Sequence, residues 1–267
     1  MYTLIKDFIP PILLKTLNKI RNSNYGWKGD YATWESAKKN ATGYDSDEIF
    51  HRVKSSLLKV KNGEAVYERD SVIFDEIQYS WQLLAGLMLA AAKNKGSLNV
   101  LDFGGSLGST YYQNKKFLDQ LDNVSWNIVE QKKFVDCGKK EFENEQLHFY
   151  YDIESCQKEQ KTTVLILSSI LQYIEKPYEL LSEILKYDFE IILIDRTPFT
   201  SRKKDSIVLQ VVSSNIYNAS YPCWIFNKEK FINFLENSCF IIEEFISNDG
   251  VVDCCSFEGF ILRKSHV

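Results

Sequence analysis

From residue 97 onward, short apolar runs alternate with stretches of helical periodicity, and this alternation constrains the fold more than any other feature of the sequence. Residues 164–167 form one continuous apolar run, which is typical of a parallel strand buried on both faces. Strands that alternate with helices predict a parallel sheet wound right-handedly. The pattern predicts strands over residues 98–103, 126–130, 147–151, 163–168 and 191–195. It also predicts three helices: one that ends near residue 121, one over residues 131–143 and one over residues 177–187.

The C-terminal tail breaks this alternation. After a helix predicted over residues 228–237, strand-like segments follow at 240–247 and 255–263, and Asn248-Asp249-Gly250 between them is a hairpin signal. A parallel sheet that ends in an antiparallel hairpin is unlike the sheet of a nicotinamide dehydrogenase. The predicted fold class is therefore α/β, with a Rossmann-like, mostly parallel sheet and a C-terminal antiparallel hairpin.

The first third of the chain shows no such alternation. Its periodicity predicts loops and helices, the helices spanning residues 31–39, 46–60 and 71–92. We therefore expect two regions: a helical N-terminal cap for substrate recognition over residues 1–95, and a cofactor-binding domain over residues 96–267.

Residues 1–28 differ in charge from the rest of the chain, because they carry five cations against one anion. Their apolar residues recur near helical spacing, and such a basic amphipathic segment can lie on an anionic membrane surface. It can equally pack on its own domain or contact a second subunit. Packing is favoured because short amphipathic helices usually face a core.

Composition excludes several classes of function. The net charge of −4 gives no general reason to expect a nucleic-acid partner. No apolar run reaches the roughly 18 residues of a membrane-spanning helix, and the N terminus lacks the features of a secretory signal. The six cysteines form no C-x-x-C pair and only three histidines are present, so we expect reduced thiols and no metal site. The predicted location is cytoplasmic, with peripheral contact at the inner membrane surface as the alternative.

The strongest chemical signal is the glycine-rich stretch Val100-Leu101-Asp102-Phe103-Gly104-Gly105-Ser106-Leu107-Gly108-Ser109, between a strand and a helix. Glycines let the backbone approach a ligand closely, so such a turn can carry a cofactor. Asp102 would repel a phosphate and suits a ligand that bears a cation, such as an α-amino group. Because G-x-G-x-x-G is absent as well, the stretch favours S-adenosylmethionine over NAD. The predicted contacts in the turn are Gly104, Gly105, Ser106 and Gly108.

Polar residues also follow the next predicted strands. Glu130 closes the second strand, and its two carboxylate oxygens match the two hydroxyls of a ribose. Taken alone, Glu130 is more simply an exposed strand-end acid, but its order and spacing after the first strand favour the ribose role. Gln131 is predicted beside the adenine, and Asp152 as an acceptor for the adenine amino group. The fourth strand ends at two further predicted contacts, Ser168 and Ser169.

On these residues, the stretch 97–267 resembles class I S-adenosylmethionine-dependent methyltransferases, although Ser106 stands where their pattern usually has its middle glycine. Four segments are similar to a narrower, poorly characterised bacterial family of methyltransferases often encoded among surface-polysaccharide genes: Gly63-Glu64-Ala65, Tyr67-Glu68-Arg69-Asp70-Ser71-Val72, Ile194-Asp195-Arg196-Thr197-Pro198 and Tyr221-Pro222-Cys223-Trp224. This resemblance extends over nearly the whole chain. It implies a sugar or glycan hydroxyl as the methyl acceptor.

A hydroxyl acceptor loses its proton as the methyl group moves, so a positioned carboxylate or imidazole is expected. Asp195, at the end of the fifth strand, ranks first as this base, with Asp75 and His51 behind it. Asp195 could equally pair with its neighbour Arg196, and a lone histidine is more often a surface residue. The predicted acceptor-binding residues are Arg69, Tyr79, Arg196 and Trp224, although such aromatic residues more often belong to a core.

Two other interpretations keep the same fold. A methyltransferase that acts on another small molecule would use the same cofactor site. A non-catalytic methyltransferase-like module in a polysaccharide assembly complex is disfavoured, because a decayed site has no physical reason to keep both Asp102 and Glu130. The expected partner is thus a small-molecule or glycan substrate.

Overall fold

The computed structural model describes residues 26–43, 47–213, 219–252 and 255–265. The chain divides into two compact units, Met1–Ser46 with Ile207–Cys223, and Asp47–Ser206 with Trp224–Val267. Most of segment 1–28 lies outside the described residues, so its membrane or subunit contact stays a prediction. Within the described ranges, no helix is long and apolar enough to cross a membrane.

The strands of the described residues are β1 (Gly26–Tyr31), β2 (Tyr67–Arg69), β3 (Val72–Phe74), β4 (Ser97–Phe103), β5 (Asn123–Val129), β6 (Leu147–Tyr150), β7 (Val164–Ser168), β8 (Ile191–Thr200), β9 (Ser206–Val211), β10 (Ser220–Asn227), β11 (Cys239–Val252) and β12 (Cys255–Lys264). The helices are α1 (Trp34–Lys39), α2 (Asp47–Lys61), α3 (Trp81–Lys93), α4 (Ser109–Leu118), α5 (Lys132–Glu141), α6 (Ile153–Gln160), α7 (Pro177–Ile184) and α8 (Lys228–Glu236). A short 3₁₀ turn spans Leu171–Tyr173.

The smaller unit is formed around an antiparallel pairing of β1 with β9. Helix α1 begins at a capping box in which Thr33 and Ser36 exchange side-chain to backbone hydrogen bonds. The backbone N–H of Thr42 donates to Ser220 Oγ at 3.0 Å. All of the site residues predicted from the sequence belong to the larger unit.

The larger unit is built on a sheet with the strand order β6-β5-β4-β7-β8-β12-β11. Strands β4 to β8 run parallel, whereas β12 is antiparallel to both β8 and β11. The winding reverses between β4 and β7, and ligands of such sheets bind outside the carboxyl ends of the strands at this switch point. We call this region the strand-end crevice. The predicted Rossmann-like sheet with its C-terminal antiparallel pair is confirmed.

The core of this unit follows from the apolar runs of the sequence. All four residues from Val164 to Leu167 are fully buried, as expected of a parallel strand covered on both faces. Aromatic side chains then fill the space between β8, β12 and α8, where Phe199 lies edge-on to Phe231 at 5.1 Å and to Phe260 at 5.6 Å between ring centroids.

Helix α3 packs directly on the sheet through Gly86. A Cβ added at this glycine would lie 2.3 Å from Leu193 Cδ2 on β8, so only glycine allows this close approach. Residues 47–95 thus share one compact unit with the sheet, and the chain does not divide at residue 95. The substrate-recognition role proposed for residues 1–95 stays a prediction.

The predicted helix over residues 71–92 is wrong in its first half, because α3 begins only at Trp81 and β3 pairs with β2 in a hairpin. Asp70 and Ser71, between the two strands, have positive φ values of 52° and 70°. Two successive left-handed residues form the tight turn that suits a two-residue hairpin. The apolar spacing that suggested a helix therefore belongs partly to a short strand pair.

The hairpin turn predicted at residues 248–250 is also wrong, because β11 continues to Val252, which pairs with Cys255 on β12. The pairing is irregular between Ile246 and Val251. In this bulge Asn248 Nδ2 donates to the Tyr79 carbonyl oxygen at 3.0 Å. The polar residues Asn248 and Asp249 of β11 thus make side-chain contacts and do not form a turn between two strands.

Candidate functional site

The glycine-rich turn lies at the carboxyl end of β4, in the strand-end crevice. Gly104 has a φ of +74°, and its N–H donates to the Val129 carbonyl oxygen at 2.9 Å. A Cβ at Gly104 would meet Ile170 Cγ1 at 2.6 Å, so both conformation and space require glycine. Gly108, with a φ of +109°, then starts α4 without a side-chain cap. The first N–H groups of α4 are therefore left to other partners.

Asp102 lies beneath this turn. Its side chain is 1% exposed and accepts a hydrogen bond from Trp126 Nε1 at 3.1 Å. A Cβ at Gly105 would lie 2.5 Å from the Asp102 carboxyl carbon, so Gly105 covers the acid directly. Burial raises the pKa of Asp102 to about 7, and the nearby Glu130 adds to the effect. In the part of the chain that the structure describes, no ion pair is formed with this buried acid.

Glu130 follows β5, the neighbour of β4 in the sheet. Its carboxylate accepts a hydrogen bond from the N–H of Gln131, the residue that precedes α5. Burial raises the pKa of Glu130 above its ordinary value. A second strand-end acid is thus partly removed from water beside the glycine-rich turn.

Asp152 follows β6 and caps the next helix. Its Oδ1 atom accepts from the N–H of Ser155 at 2.7 Å, and this hydrogen bond lowers the pKa of Asp152. The carboxylate is therefore ionised near neutral pH and already serves a structural contact. Its predicted role beside an adenine stays a prediction.

Non-glycine residues with positive φ lie just after two neighbouring strands and within a third. Ser106 after β4 has a φ of 55°, Ser169 after β7 has 54° and Arg196 within β8 has 53°. A side chain in this conformation is disfavoured, and such residues cluster at functional sites. The backbone of the strand-end crevice is thus strained at each of its three central strands.

The end of β7 is tied to β8 by hydrogen bonds. Ser168 is paired with Asp195 across the two strands, and the N–H of Ser169 donates to the Asp195 carbonyl oxygen at 3.0 Å. Gln172 is fully buried, and its Nε2 atom donates to Ser169 Oγ and to the Arg196 carbonyl oxygen, both at 3.2 Å. These hydrogen bonds hold Ser168 and Ser169, the two residues predicted to contact the cofactor, beside β8.

Asp195 is 2% exposed and its carboxylate is fully engaged. Oδ1 accepts from Ser247 Oγ at 2.6 Å and from the N–H of Arg196 at 2.8 Å, and Oδ2 accepts from Ser80 Oγ at 2.9 Å. Burial raises the pKa of Asp195. These contacts favour a positioning role over direct proton removal.

Arg196 joins the turn of the β2–β3 hairpin to β11. Its Nε donates to Asp249 Oδ2 at 2.7 Å, and its Nη2 donates to Asp70 Oδ2 at 2.6 Å. Burial alone would raise the pKa of Asp70, but the guanidinium group of Arg196 outweighs burial, and the pKa is lowered. The turn of the β2–β3 hairpin is therefore anchored by charge to the middle of β8, and Arg196 of β8 also binds the bulge in β11.

Glu68, which the sequence did not single out as a site residue, is 2% exposed on β2. Its carboxylate accepts from Ser109 Oγ at the start of α4 and from the N–H of Ser71 at 3.2 Å. Burial raises the pKa of Glu68 to about 7. The helix predicted over residues 71–92 concealed the hairpin that carries this acid to the glycine-rich turn.

The other two candidate bases are exposed. Asp75 follows β3, and His51 lies on α2, where its ring is edge-on to Phe50 at 5.6 Å between centroids. His51 also lines a surface depression with Lys54 and Leu58. Among the described residues, no hydrogen bond or ion pair given by the structure joins Asp75 or His51 to the groups at the strand ends.

The predicted acceptor-binding side chains other than Arg196 make structural contacts. The Arg69 guanidinium lies 5.6 Å from the centre of the Phe74 ring, and the Tyr79 ring lies 4.8 Å from that of Trp81. Trp224 Nε1 donates to the Ile174 carbonyl oxygen at 3.0 Å. In the part of the chain that the structure describes, no group of three or more His, Cys, Asp or Glu side chains could hold a metal ion.

Several solved structures are similar to this chain. The structure of LepI in complex with SAM has a TM-score of 0.50 at 11% identity, over 83% of this chain and 56% of LepI. The N-terminal domain of EvdMO1, in the presence of SAH and D-fucose, has a TM-score of 0.49 at 11% identity, over 83% of this chain and 100% of the EvdMO1 domain. Magnesium protoporphyrin IX methyltransferase (ChlM) from Synechocystis PCC 6803, with bound SAM, has a TM-score of 0.46 at 11% identity, over 84% of this chain and 100% of ChlM.

These likenesses concern the fold alone. Together with the strand order, the likeness to LepI assigns the larger unit to the Rossmann-like α/β fold that the sequence predicted. No protein-family model and no curated protein matches the chain. The narrower resemblance to a surface-polysaccharide family therefore stays a prediction.

Proposed function

We propose that this protein is an S-adenosylmethionine-dependent O-methyltransferase that acts on a saccharide or nucleotide-sugar acceptor in bacterial surface-glycan biosynthesis. The observation that carries the cofactor assignment is the pairing of the glycine-rich turn after β4 with Glu130 at the end of the adjacent β5. The glycines of the turn let its backbone approach the cofactor closely, and Glu130 provides two acceptor oxygens for a ribose diol.

The residues present fit this cofactor in shape. A side chain at Gly104 would collide with Ile170, and one at Gly105 would collide with Asp102, so the surface of the turn is kept as bare backbone. The uncapped start of α4 adds free N–H groups of a helix N terminus, which favour a carboxylate. We assign Gly104, Gly105, Ser106 and Gly108 to the methionyl side of the cofactor, and Glu130, Gln131 and Asp152 to the adenosine side.

The residues also fit the cofactor in charge. Asp102 and Glu130 have raised pKa values because burial disfavours their ionised forms. A ligand with cationic sulfur and an ammonium group would offset this cost, whereas the diphosphate of NAD would increase it. When bound, S-adenosylmethionine supplies a methyl group on a positively charged sulfur.

Support for a glycan acceptor comes from the resemblance of four sequence segments. Two of them, residues 67–72 and 194–198, meet in the structure through the ion pair of Asp70 with Arg196. We infer that this pair borders the acceptor. The candidates for deprotonation of its hydroxyl are Asp195, Asp75 and His51. The contacts of Asp195 favour a positioning role for it.

The test has two steps. Calorimetric titration of the full chain with S-adenosylhomocysteine is expected to show binding at a single site; no binding would overturn the cofactor assignment. Methyl transfer from labelled S-adenosylmethionine is then measured on a panel of free sugars, nucleotide sugars and sugar-free hydroxyl metabolites. Transfer confined to the sugar-free compounds would overturn the acceptor class and leave the cofactor assignment intact.

A further inference from the structure

The β2–β3 hairpin is fixed over the beginning of α4. Gln113 Nε2, on α4, donates to the Tyr67 hydroxyl at 3.0 Å. Asp70, in the turn of the hairpin, is held at the other side by Arg196 of β8. Between these two anchors, Glu68 contacts Ser109, the first residue of α4. The hairpin therefore places one acid beside the exit of the glycine-rich turn.

The carboxylate of Glu68 is held by neutral donors. It accepts hydrogen bonds from Ser109 Oγ and from the N–H of Ser71. The neighbouring Asp70, in contrast, is paired with the guanidinium group of Arg196. Glu68 is 2% exposed, and among the described residues no ion pair is formed with it, so its ionised form is costly. Its surroundings are thus complementary to a cationic group of a ligand.

Asp102 cannot meet such a cation directly. Gly105 packs against its carboxyl group, and Trp126 occupies one of its oxygens. Glu68 contacts Ser109 at the N terminus of α4, where a ligand carboxylate is favoured. A zwitterionic amino-acid group matches this arrangement, with its carboxylate at the helix N terminus and its ammonium at Glu68.

We propose that Glu68 binds the α-ammonium group of the cofactor's methionyl end. This inference rests on the proposed function, since it deepens the assignment of the cofactor site. It places the recognition of the two ends of the cofactor on different parts of the chain. Glu130 of the sheet takes the ribose, and Glu68 of the β2–β3 hairpin takes the amino acid.

The experiment compares two ligands in two variants by calorimetry. S-adenosylhomocysteine is titrated beside an analogue in which hydrogen replaces the α-amino group, into the wild type, Glu68→Gln and the control Glu64→Gln. Glu64 is exposed and lies just before the same hairpin. We expect Glu68→Gln to weaken S-adenosylhomocysteine by about 10- to 100-fold, the usual range for a hydrogen bond between charged groups. The analogue should bind the wild type and Glu68→Gln equally, and Glu64→Gln should change neither affinity.

Unchanged affinity of Glu68→Gln for S-adenosylhomocysteine would overturn the inference, as would equal losses for both ligands. If Glu68→Gln does not fold, Glu68→Asp keeps the charge and shortens its reach, and a loss confined to the amino-bearing ligand is expected. Failure of the wild type to bind S-adenosylhomocysteine is a different result, because it would remove the proposed function itself.

Discussion

At the scale of single residues, Glu130 is the side chain on which the cofactor assignment depends most. Removal of its carboxylate in Glu130→Ala eliminates two hydrogen bonds to the ribose, each of about 1.5–3 kcal/mol. Water refills part of the site, so we expect affinity for S-adenosylhomocysteine to fall by about 30- to 1,000-fold, as measured by calorimetry.

The exposed Glu143→Ala is the matched control and should bind as the wild type does. The loss should be as large for S-adenosylmethionine as for its product, because both contain the ribose. A folded Glu130→Ala protein that binds both ligands normally would contradict the proposed site.

Asp195 distinguishes a base from a positioning residue. In Asp195→Asn the amide oxygen can still accept from Ser247 and from the N–H of Arg196, and the amide nitrogen can donate to Ser80. We therefore expect turnover within about tenfold of the wild type, measured with the acceptor found in the panel. Loss of a general base would instead cost about 10²–10⁴ in rate. A loss of that size with unchanged cofactor affinity would assign Asp195 as the base.

At the scale of elements, the close packing of α3 on β8 can be tested at Gly86. The Cβ of Gly86→Ala would lie 2.3 Å from Leu193 Cδ2. Overpacking costs about 1–3 kcal/mol, while alanine gains about 1 kcal/mol in helix propensity. We expect a net loss of up to about 2 kcal/mol in the free energy of unfolding, measured by urea denaturation.

The sign of this effect should reverse when the clash is removed. In a Leu193→Ala background, Gly86→Ala should stabilise the protein by up to about 1 kcal/mol. Ala85→Gly, at the exposed neighbouring position, measures the propensity contribution alone. A destabilising Gly86→Ala in both backgrounds would mean that Leu193 is not what excludes a side chain there.

The sheet could be predicted from the sequence because its strands are continuous apolar runs with polar ends. The run 164–167 is fully buried, and the acids at 102 and 130 do follow adjacent strands. The β2–β3 hairpin could not be predicted in this way. Ile73 and Phe74 fit the spacing of α3, and the turn depends on left-handed conformations of Asp70 and Ser71 that residue type alone does not require.

The wall of the candidate site was hidden for a related reason. Ser80, Ser247 and Asp249 reach Asp195 and Arg196 from segments 52 to 115 residues away in the chain. Such contacts depend on how α3 and β11 pack, and no local pattern encodes them. Asp195 and Arg196 themselves were found because the apolar run of β8 ends at them, although the strand continues to Thr200.

At the scale of the whole molecule, the raised pKa values of buried acids make stability depend on pH. Glu68 and Asp102 have pKa values of about 7 in the folded chain, against ordinary values of 4.5 and 3.8. The folded state therefore binds these protons more tightly, and their contribution is complete below the unfolded pKa values and is lost as pH rises to about 7. Acids with lowered pKa values are ionised in both states above pH 5.5 and do not change this trend.

We thus expect the Tm of the ligand-free protein to fall between pH 5.5 and pH 8, by about 2–4 °C for each kcal/mol of stability lost. Scanning calorimetry in buffers of equal ionic strength measures it. Glu68→Gln should show a smaller fall than the wild type, whereas Glu64→Gln should match it. A Tm that rises over this interval in the wild type would contradict the burial of uncompensated acids at the turn.

The hydrogen bond between Trp126 and Asp102 gives the molecule an optical reporter of its own. The indole is fully buried beneath the glycine-rich turn, with its N–H 3.1 Å from a carboxyl oxygen. Because indole emission responds to the local electric field, ionisation of that one carboxyl group should alter the colour and yield of the fluorescence. The difference spectrum between the wild type and Trp126→Phe isolates this signal from the other tryptophans. Charge at the base of the turn could then be followed in real time, without any label, as a ligand enters and leaves.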